Sequence, residues 1–498
     1  MMWRTEMVLL ANDESGREDC LSPQTSFLAK KAYHLRLPSW VDCGCIVSRM
    51  HGFLKFPILR WQRFILVLAF LLASASALAE KLNIVLIMAD DSAVDNYSCY
   101  GSDFFQSPRL DHLAETGARF NYCYSEPVCT SSRVKIMTGR DGVRNYVNFG
   151  TLDKSETTFG TMLKNAGYAT AVAGKWQLQA PPNGSLPEDC GFDAYCLWNI
   201  PGTGRERYWK PSLNQNGTIL DSSEQDYGPD IVSDFLVDFM EENRERPFFV
   251  YYPMILVHNP FPETPDSRPA TKEEAAFGKG LKNYRDMVAY ADKLVGKLVD
   301  AVNHLGLREK TVFIYTADNG TNRSLTYPFN GAYFKGEKAY TTEGGYHVPL
   351  IVNCPTVVPS GIVNNDLIDF SDMLPTLAEL TGAKLPKVKL DGRSFWPQCL
   401  GKEGDPKPVI TQYYYPKYKP AAEMHGLGIR DREIIWAQNQ HFKLYQNGFF
   451  YSVADRFEVD PIALGDGTNY AEETRAMLQK AIDAMPQTGQ MLKPEYGN

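Results

Sequence analysis

Two acidic segments of the sequence contain residues that could bind a metal ion. Asp90 and Asp91 come directly after a run of apolar residues, and Asp318 and Asn319 follow a second apolar run. Such runs are typical of buried parallel strands, whose carboxyl ends meet at one edge of a sheet. Carboxylate and amide oxygens are ligands of hard cations, so these residues predict a calcium or magnesium site rather than a zinc site.

One cysteine lies in a segment that favours reactive chemistry. Cys129 stands at the predicted start of a helix, within the sequence Pro-Val-Cys-Thr-Ser-Ser-Arg at residues 127–133. The helix dipole and the guanidinium of Arg133, one turn into the helix, would favour an anion or an activated oxygen or sulfur atom at Cys129. A cysteine that is simply buried or disulfide-bonded is the alternative interpretation.

Strand and helix patterns alternate through the part of the chain that positions these residues. The predicted strands cover residues 82–88, 169–173, 247–257 and 311–316. The predicted helices cover residues 108–115, 159–165, 231–243, 284–305 and 371–380. This alternation predicts an α/β fold with a large mixed, mainly parallel sheet flanked by helices.

The sequence changes character near residue 401, where a connector rich in Gly, Lys and Pro begins. Beyond it, short strands are predicted at residues 409–415, 433–438, 442–445 and 449–453, followed by a helix at residues 471–484. We interpret residues 80–400 as the main domain. Residues 401–498 are interpreted as a smaller C-terminal α+β subdomain, an antiparallel sheet plus a helix.

The first part of the chain indicates export. Residues 50–79 resemble a signal peptide, with Arg60 and Arg63 before the apolar run 64–73 and a small-x-small cleavage pattern at the end. We therefore expect a periplasmic or extracellular protein without a stable membrane anchor after cleavage, a retained anchor being the alternative. Residues 1–49 are interpreted as an over-extended gene start.

The cysteine count agrees with an oxidising compartment. Seven of the ten cysteines follow residue 79, and an odd number suggests that one of them has a separate task. If that residue is Cys129, the other six could pair. Cys190 and Cys196 are close enough in sequence to close a small disulfide loop.

The charge balance limits the classes of partner. The chain has 59 acidic and 51 basic residues and a formal net charge of −8. It therefore has no general electrostatic attraction for nucleic acid or anionic membranes, and we expect no nucleic-acid partner. Attraction for an anionic substrate must come from a few convergent Lys, Arg and His side chains.

From residue 82 to about residue 471, the chain resembles the sulfatase family of the alkaline-phosphatase superfamily. The similar segments occur in the family's order, at residues 83–91, 107–120, 127–140, 167–176, 316–320 and 334–349. Weaker similarity continues at residues 442–445 and 456–461. The resemblance implies that residues 80–400 are a sulfatase-type catalytic domain.

The resemblance also implies a nucleophile and a cation. In the family, the motif cysteine is oxidised to formylglycine, whose hydrate supplies the nucleophilic oxygen. This would make Cys129 the modified residue and a formylglycine-generating maturation enzyme a partner of the chain. The implied cation is Ca²⁺, with Mg²⁺ less favoured, and its implied ligands are Asp90, Asp91, Cys129, Asp318 and Asn319.

The basic residues of the similar segments take implied roles as well. Lys175, Lys338 and His258 would contact the sulfate oxygens, and His258 or Lys338 would protonate the leaving oxygen. Arg133 would hold the formylglycine. The implied reaction is hydrolysis of the sulfate ester of a sugar, a glycan or an aryl compound.

Three positions depart from the family's pattern. Ser131 stands where the family has Pro or Ala, in the segment that the maturation enzyme reads. Gln177 stands where the family usually has a His that takes up a proton, which an amide cannot do at neutral pH. His347 stands where an Arg is common. Gln177 and His347 are kept as candidate substrate contacts.

Two alternatives to an active sulfatase follow from these residues. One is a catalytically silent relative that binds sulfated glycans, favoured by Ser131 and Gln177. The other is a phosphodiesterase or phosphonate hydrolase of the same superfamily, with the same nucleophile and cation. The pocket walls that would select the substrate are expected in the loops 181–208 and 327–333.

Overall fold

The carboxyl ends of several buried strands meet at one edge of a large sheet in the computed structural model. The structure describes residues 81–272, 276, 278–415 and 433–486. The predicted gene-start segment, residues 1–49, and the predicted signal peptide, residues 50–79, lie outside the described residues. Among the described helices, none has both the length and the apolar composition needed to cross a membrane.

The strands are numbered in chain order. They are β1 Asn83–Ala89, β2 Ala118–Tyr124, β3 Ala169–Lys175, β4 Ala194–Trp198, β5 Asn214–Gln215, β6 Thr218–Ile219, β7 Phe248–Pro253, β8 Thr311–Ala317, β9 Thr326–Phe329, β10 Ala332–Lys335, β11 His347–Asn353, β12 Ile362–Asp369, β13 Ile410–Tyr414, β14 Ile434–Gln438, β15 Phe442–Tyr445 and β16 Phe450–Ser452.

The α-helices are numbered in the same way. They are α1 Pro108–Glu115, α2 Cys129–Thr138, α3 Gly142–Asn145, α4 Phe159–Asn165, α5 Gly228–Glu242, α6 Gly278–His304, α7 Glu343–Tyr346, α8 Met373–Thr381, α9 Trp396–Cys399 and α10 Asn469–Asp483. They include two packed groups, one of α1, α5 and α6 and one of α2, α4 and α8.

The main sheet has ten strands in the order β12-β2-β11-β8-β1-β7-β3-β4-β5-β6. Strands β8, β1, β7, β3 and β4 run parallel, while β11 runs antiparallel to both β2 and β8. Every residue of β1, β7 and β8 is buried, as expected for parallel strands covered on both faces. The predicted large mixed, mainly parallel sheet flanked by helices is confirmed.

Most of the predicted elements are present, and one strand is shorter than predicted. The strand predicted over residues 247–257 ends at Pro253. Beyond it, the N–H groups of Met254 and Val257 donate to the carbonyl oxygens of Met88 and Asp90, each at 2.8 Å. The apolar residues that follow β7 therefore pack against the end of β1 instead of extending the sheet.

The disulfide pairing that the cysteine count allowed is not found among the described residues. All seven cysteines after residue 79 are free thiols in the described part of the chain. Cys190 and Cys196 are both buried in the main hydrophobic core, and Cys196 lies in the middle of β4. These two residues therefore act as small apolar core residues and not as a cross-linked loop.

The C-terminal strands β13, β14, β15 and β16 form a separate antiparallel sheet, as predicted. Helix α10 packs on this sheet. The indole N–H of Trp436 on β14 donates to Tyr346 Oη at 3.1 Å, which joins this sheet to α7. The domain boundary near residue 401 stays a prediction.

Candidate active site

Three carboxylates lie side by side at the carboxyl edge of the main sheet. The register of β1 and β8 pairs Ala89 with Ala317, so Asp90 and Asp318 follow at adjacent positions. The backbone N–H of Asp91 donates to Asp318 Oδ1 at 3.1 Å. All three Asp side chains are inaccessible to solvent. The two acidic segments predicted to converge are therefore adjacent.

The side chains of this acidic group retain free oxygen atoms. Asn319 Nδ2 donates to Asp91 Oδ1 at 2.9 Å, so the amide oxygen of Asn319 is not used in this contact. Asp91 Oδ2 and Asn319 Oδ1 are buried and accept no hydrogen bond from the described residues. Unpaired buried oxygens are costly unless they bind a cation or water, so this arrangement fits a hard metal ion.

The pKa values of the carboxyl groups also favour a bound cation. Burial raises the pKa of Asp90, but Lys175, His258 and Arg133 outweigh burial and hold this pKa well below its usual value. Burial and then the charge of Asp90 raise the pKa of Asp318 to about 7. Carboxylates this close resist full ionisation, and a divalent cation would relieve their repulsion.

Cys129 is the first residue of α2 and points into this acidic group. Its Sγ lies 3.6 Å from Asp90 Oδ1 and 3.6 Å from Lys338 Nζ. Burial and then the charge of Asp318 raise the pKa of the Cys129 thiol to about 12. Burial and the carboxylates therefore oppose the activation of the sulfur that the helix dipole was expected to provide. An unmodified Cys129 is a protonated thiol at neutral pH.

Two buried cations connect α2 and β3 to the carboxylates. Arg133 Nη2 donates to Asp318 Oδ2 at 2.9 Å, and Arg133 Nη1 donates to the carbonyl oxygen of Lys175 at 3.1 Å. Lys175 Nζ lies 2.7 Å from Asp90 Oδ2. Lys175 reaches this position because Gly174 lets β3 approach β7: a Cβ atom there would lie 2.0 Å from the carbonyl oxygen of Pro253.

His258 and Lys338 complete the group on its solvent side. Lys338 Nζ donates to Asp91 Oδ1, and His258 Nε2 lies 3.7 Å from Asp91 Oδ2. Burial lowers the pKa of His258 to about 4, although Asp91 acts in the opposite direction. Burial also lowers the pKa of Lys338, but Asp91 outweighs it and raises the pKa above its usual value. Lys338 is therefore charged and His258 neutral at pH 7.

Arg207 is a neighbour of this site that was not predicted. Its Nη2 lies 3.1 Å from His258 Nδ1, which in turn lies 2.7 Å from the carbonyl oxygen of Asn259. One ring nitrogen cannot both accept from Arg207 and donate to Asn259, so these contacts define two tautomers of neutral His258. The tautomer in which Nδ1 accepts from Arg207 has its proton on Nε2, and the other has its proton on Nδ1. Arg207 lies in the loop 181–208 that was predicted to line the pocket, but no residue spacing linked it to His258.

Among the described residues, no hydrogen bond or ion pair joins Gln177 or His347 to this group, and the role of Gln177 as a substrate contact stays a prediction. Gln177 follows β3, and its buried Oε1 accepts no hydrogen bond from the described residues. His347 Nδ1 lies 3.3 Å from Glu343 Oε2, and His347 Nε2 lies 2.9 Å from the carbonyl oxygen of Asn121. Both ring nitrogens of His347 therefore have protein partners, so its predicted role as a substrate contact has no support in this geometry.

Four side chains from three distant parts of the sequence could hold a metal ion together. Their ligand atoms all lie within 4.8 Å of one another, and the residues are Asp90, Asp91, Cys129 and His258. Asp318 and Asn319 adjoin this set through their hydrogen bonds to Asp91. His258 was predicted to contact substrate, and the structure adds it to the possible metal ligands.

Comparisons with known proteins identify the family of the chain. The model of the family described as Sulfatase matches residues 82–383. Arylsulfatase A of Homo sapiens is 32% identical over 383 residues, which cover 70% of this chain and 73% of the relative. Arylsulfatase of Hemicentrotus pulcherrimus is 31% identical over 368 residues, which cover 68% of this chain and 65% of the relative.

A solved structure shares the fold. It is a complex of a protein with its substrate D-glucosamine-2-N,6-O-disulfate, and it aligns with a TM-score of 0.64 at 21% identity, over 81% of this chain and 97% of that chain. The chain belongs to the sulfatase family, and its class of activity is that of a sulfuric ester hydrolase.

Proposed function

We propose that the protein hydrolyses sulfate esters of a sugar, a glycan or an aryl compound, using a formylglycine derived from Cys129 and a calcium ion. The observation that carries this proposal is the position of Cys129 at the start of α2. There its Sγ lies 3.6 Å from both a carboxylate of the acidic group and the ammonium of Lys338. A nucleophile on this residue would be adjacent to the cation and to a sulfate-binding ammonium group.

The metal would be held by Asp90, Asp91, Asp318, Asn319 and the modified side chain at position 129. The unpaired oxygens Asp91 Oδ2 and Asn319 Oδ1 support this set. All five donors would be oxygen atoms of the protein, which suits Ca²⁺ better than Mg²⁺, because Mg²⁺ usually keeps several waters. When present, the cation would polarise the sulfate as a Lewis acid and the formylglycine hydrate would supply the attacking oxygen.

The charges of the site support binding of a cation and a sulfate together. The three carboxylates are matched by the three permanent cations of Arg133, Lys175 and Lys338. If the carboxylates hold a metal ion, the two ammonium groups become available for sulfate oxygens. Each ammonium has three N–H donors, so both can bind sulfate without displacing the residues that hold the metal.

The proton for the leaving oxygen would come from a residue on the solvent side of the group. Lys338 and His258 are the members of the group with exposed side-chain surface, at 16% and 22%. A leaving alcohol must depart toward solvent, so one of these two residues would donate its proton. His258 can donate from Nε2 in the tautomer in which Nδ1 accepts from Arg207.

The remaining parts of the proposal concern the cell and the partners of the chain. We expect an exported protein that meets a maturation enzyme before it folds, because Cys129 is fully buried in the folded chain. We expect a sulfated small molecule or glycan as substrate. Both expectations rest on the family and on the signal-like sequence.

The test is hydrolysis of an aryl sulfate by protein from an expression host that contains a formylglycine-generating enzyme. Cys129→Ala should lower kcat/KM for the sulfate ester by about a thousandfold or more, because the nucleophile is lost. Cys99→Ala, a half-buried cysteine outside the site, is the matched control and should keep the activity.

Two results would contradict the proposal. Cleavage of an aryl phosphate but not of the sulfate would favour the phosphodiesterase alternative. Binding of sulfated sugars without any turnover, by protein whose Cys129 is converted, would favour the silent relative.

A further inference from the structure

We propose that a basic cavity beside the active site binds a second anionic group of the substrate, so that the preferred substrate is a sugar with two negative groups. This inference rests on the proposed function and adds the substrate class. The basic cavity has a volume of about 540 Å³ and is lined by His258, Asn322, Arg323, Ser324, Lys335 and Lys338, among others. It shares His258 and Lys338 with the active site.

The charge of this cavity is unlike that of the chain as a whole. Its lining includes three permanent cations and no carboxylate. The chain has more acidic than basic residues, with a net charge of −8. Lys338 pairs with Asp91, but Arg323 and Lys335 form no ion pair with any described residue. Two unpaired cations that face one cavity attract anions.

The guanidinium of Arg323 has an aromatic partner beside the cavity. It lies over the ring of Tyr340 at 5.3 Å from the ring centroid. Tyr340 is positioned in turn by its backbone N–H, which donates to the carbonyl oxygen of Glu337 at 2.8 Å. A guanidinium that contacts a ring through its face keeps the N–H groups in its own plane available, and these can bind two oxygens of a carboxylate or a sulfate.

Backbone contacts fix the walls of the cavity. The N–H of Gly336 donates to the carbonyl oxygen of Leu325 at 3.0 Å, and the N–H of Lys338 donates to that of Thr321 at 3.0 Å. These bonds close the base of the β9–β10 hairpin. Arg323 lies before β9 and Lys335 ends β10, opposite Thr326, so the closed base brings both cations beside Lys338.

One segment of the sequence contributes residues both to this cavity and to the catalytic group. The segment between Asn319 and Lys338 contains both Arg323 and Lys335. Asn322 Nδ2 donates to Asn259 Oδ1 at 3.4 Å, which ties the same segment to the loop of His258. A sugar whose sulfate ester reaches Lys338 would therefore extend its other substituents toward Arg323 and Lys335. The anionic oxygens could belong to a second sulfate or to a uronic acid carboxylate.

The test compares three substrates: a monosulfated monosaccharide, the same sugar with a second sulfate, and a monosulfated disaccharide that contains a uronic acid. The variants are Arg323→Gln and Lys335→Gln. Each should lower the ratio of kcat/KM for a doubly anionic substrate over the monosulfated one by about tenfold, the usual effect of losing one charge-assisted hydrogen bond. The substrate with the larger loss identifies the anion that the cavity binds.

Lys402→Gln is the matched control, because it makes the same change of charge at an exposed position outside the cavity. Its selectivity ratio should equal that of the wild type. Unchanged ratios in Arg323→Gln and Lys335→Gln would overturn the inference even if all three sugars are cleaved.

Failure of the proposed function would give a different set of results. If the wild type cleaves none of the sugars, equilibrium binding of the disulfated sugar decides the inference separately. About tenfold weaker binding to Arg323→Gln than to the wild type would support the anionic cavity, and equal binding would overturn it.

Discussion

Ser131 is the third residue of α2, and its hydroxyl donates to the carbonyl oxygen of Val128 at 3.0 Å. The first backbone N–H groups of a helix have no partner within the helix, so proline is tolerated in this turn. The folded helix should therefore accept proline in place of Ser131. We therefore expect this departure from the family to matter mainly in the extended chain that a maturation enzyme would bind.

We predict that Ser131→Pro raises the fraction of Cys129 converted to formylglycine when the maturation enzyme is limiting. The proline restricts φ in the extended segment, while the folded helix should lose less than about 1 kcal/mol of stability. The measurement is the mass of the Cys129 peptide together with urea unfolding. Ser131→Thr keeps the hydroxyl and an unrestricted φ, and it should convert like the wild type. Equal conversion of both variants would contradict this prediction.

The residues of the site differ in how far the sequence predicted them. Asp90, Asp91 and Asp318 follow apolar runs, so strand ends alone predicted their convergence. The roles proposed for Lys175, His258 and Lys338 depend on family resemblance, because a single Lys or His in a loop carries no spacing signal. Arg207 was missed because its contact with His258 depends on how a long loop folds back over the site.

At the scale of elements, α2 is fixed by a buried ionic cluster around Lys135. Lys135 Nζ lies 3.0 Å from Asp141 Oδ1, 3.3 Å from Glu126 Oε1 and 3.5 Å from Asp369 Oδ2, and it donates to Gln412 Oε1 at 2.8 Å. These partners connect α2 to β12 and β13. Loss of one partner from a buried ion pair costs about 3–5 kcal/mol, so this cluster strongly constrains the helix that presents Cys129.

The cluster predicts a pH dependence of stability. Burial raises the pKa of Glu126 to about 8, although Lys135 acts in the opposite direction. Because the folded-state pKa lies above the unfolded value of about 4.5, this carboxyl group stabilises the fold at low pH, and the contribution is lost as the pH rises from about 5 to 8.

We predict that Glu126→Gln reduces this loss of stability by an amount on the order of 3 kcal/mol between pH 5 and pH 8. The measurement is the free energy of unfolding in urea at the two pH values. Glu156→Gln, which removes a carboxyl paired with Arg140, is the matched control and should behave like the wild type. The same pH dependence in the wild type and Glu126→Gln would show that Glu126 is ionised in the folded protein.

Two strands that sequence reasoning missed, β2 and β11, each have a physical reason. Strand β11 runs antiparallel between β2 and β8, so no crossover helix precedes it and the alternation of strands and helices does not reveal it. In β2, the polar residues Arg119 and Asn121 are half-buried between apolar neighbours, which interrupts the apolar run. Within the main sheet, long apolar runs were therefore sufficient to predict only the central parallel strands.

At the scale of the whole molecule, the candidate calcium ligands come from three distant segments of the chain. Asp90 and Asp91 follow β1, Cys129 begins α2, and Asp318 follows β8. A metal ion that binds all of them would join these segments in the folded state and would have no preformed site in the unfolded chain. Calcium binding should therefore stabilise the whole fold.

We predict that calcium raises the Tm of the protein and that a chelator reverses the effect. At a free calcium concentration about a hundred times the Kd, the stabilisation would be about 2.7 kcal/mol. The measurement is thermal unfolding with calcium, with magnesium and with a chelator. Asn319→Ala, which removes one proposed ligand without changing the charge, should show a smaller calcium shift. A Tm that is independent of calcium would contradict the proposed metal site.

The central claim is that Cys129 becomes formylglycine, and the most direct test is mass spectrometry of its peptide. The protein should be exported by a host that has a maturation enzyme and should be active on an aryl sulfate. The account predicts a peptide about 18 Da lighter than the unmodified one, because CHO replaces CH₂SH at Cys129. An active enzyme whose Cys129 is intact or disulfide-bonded would contradict the account.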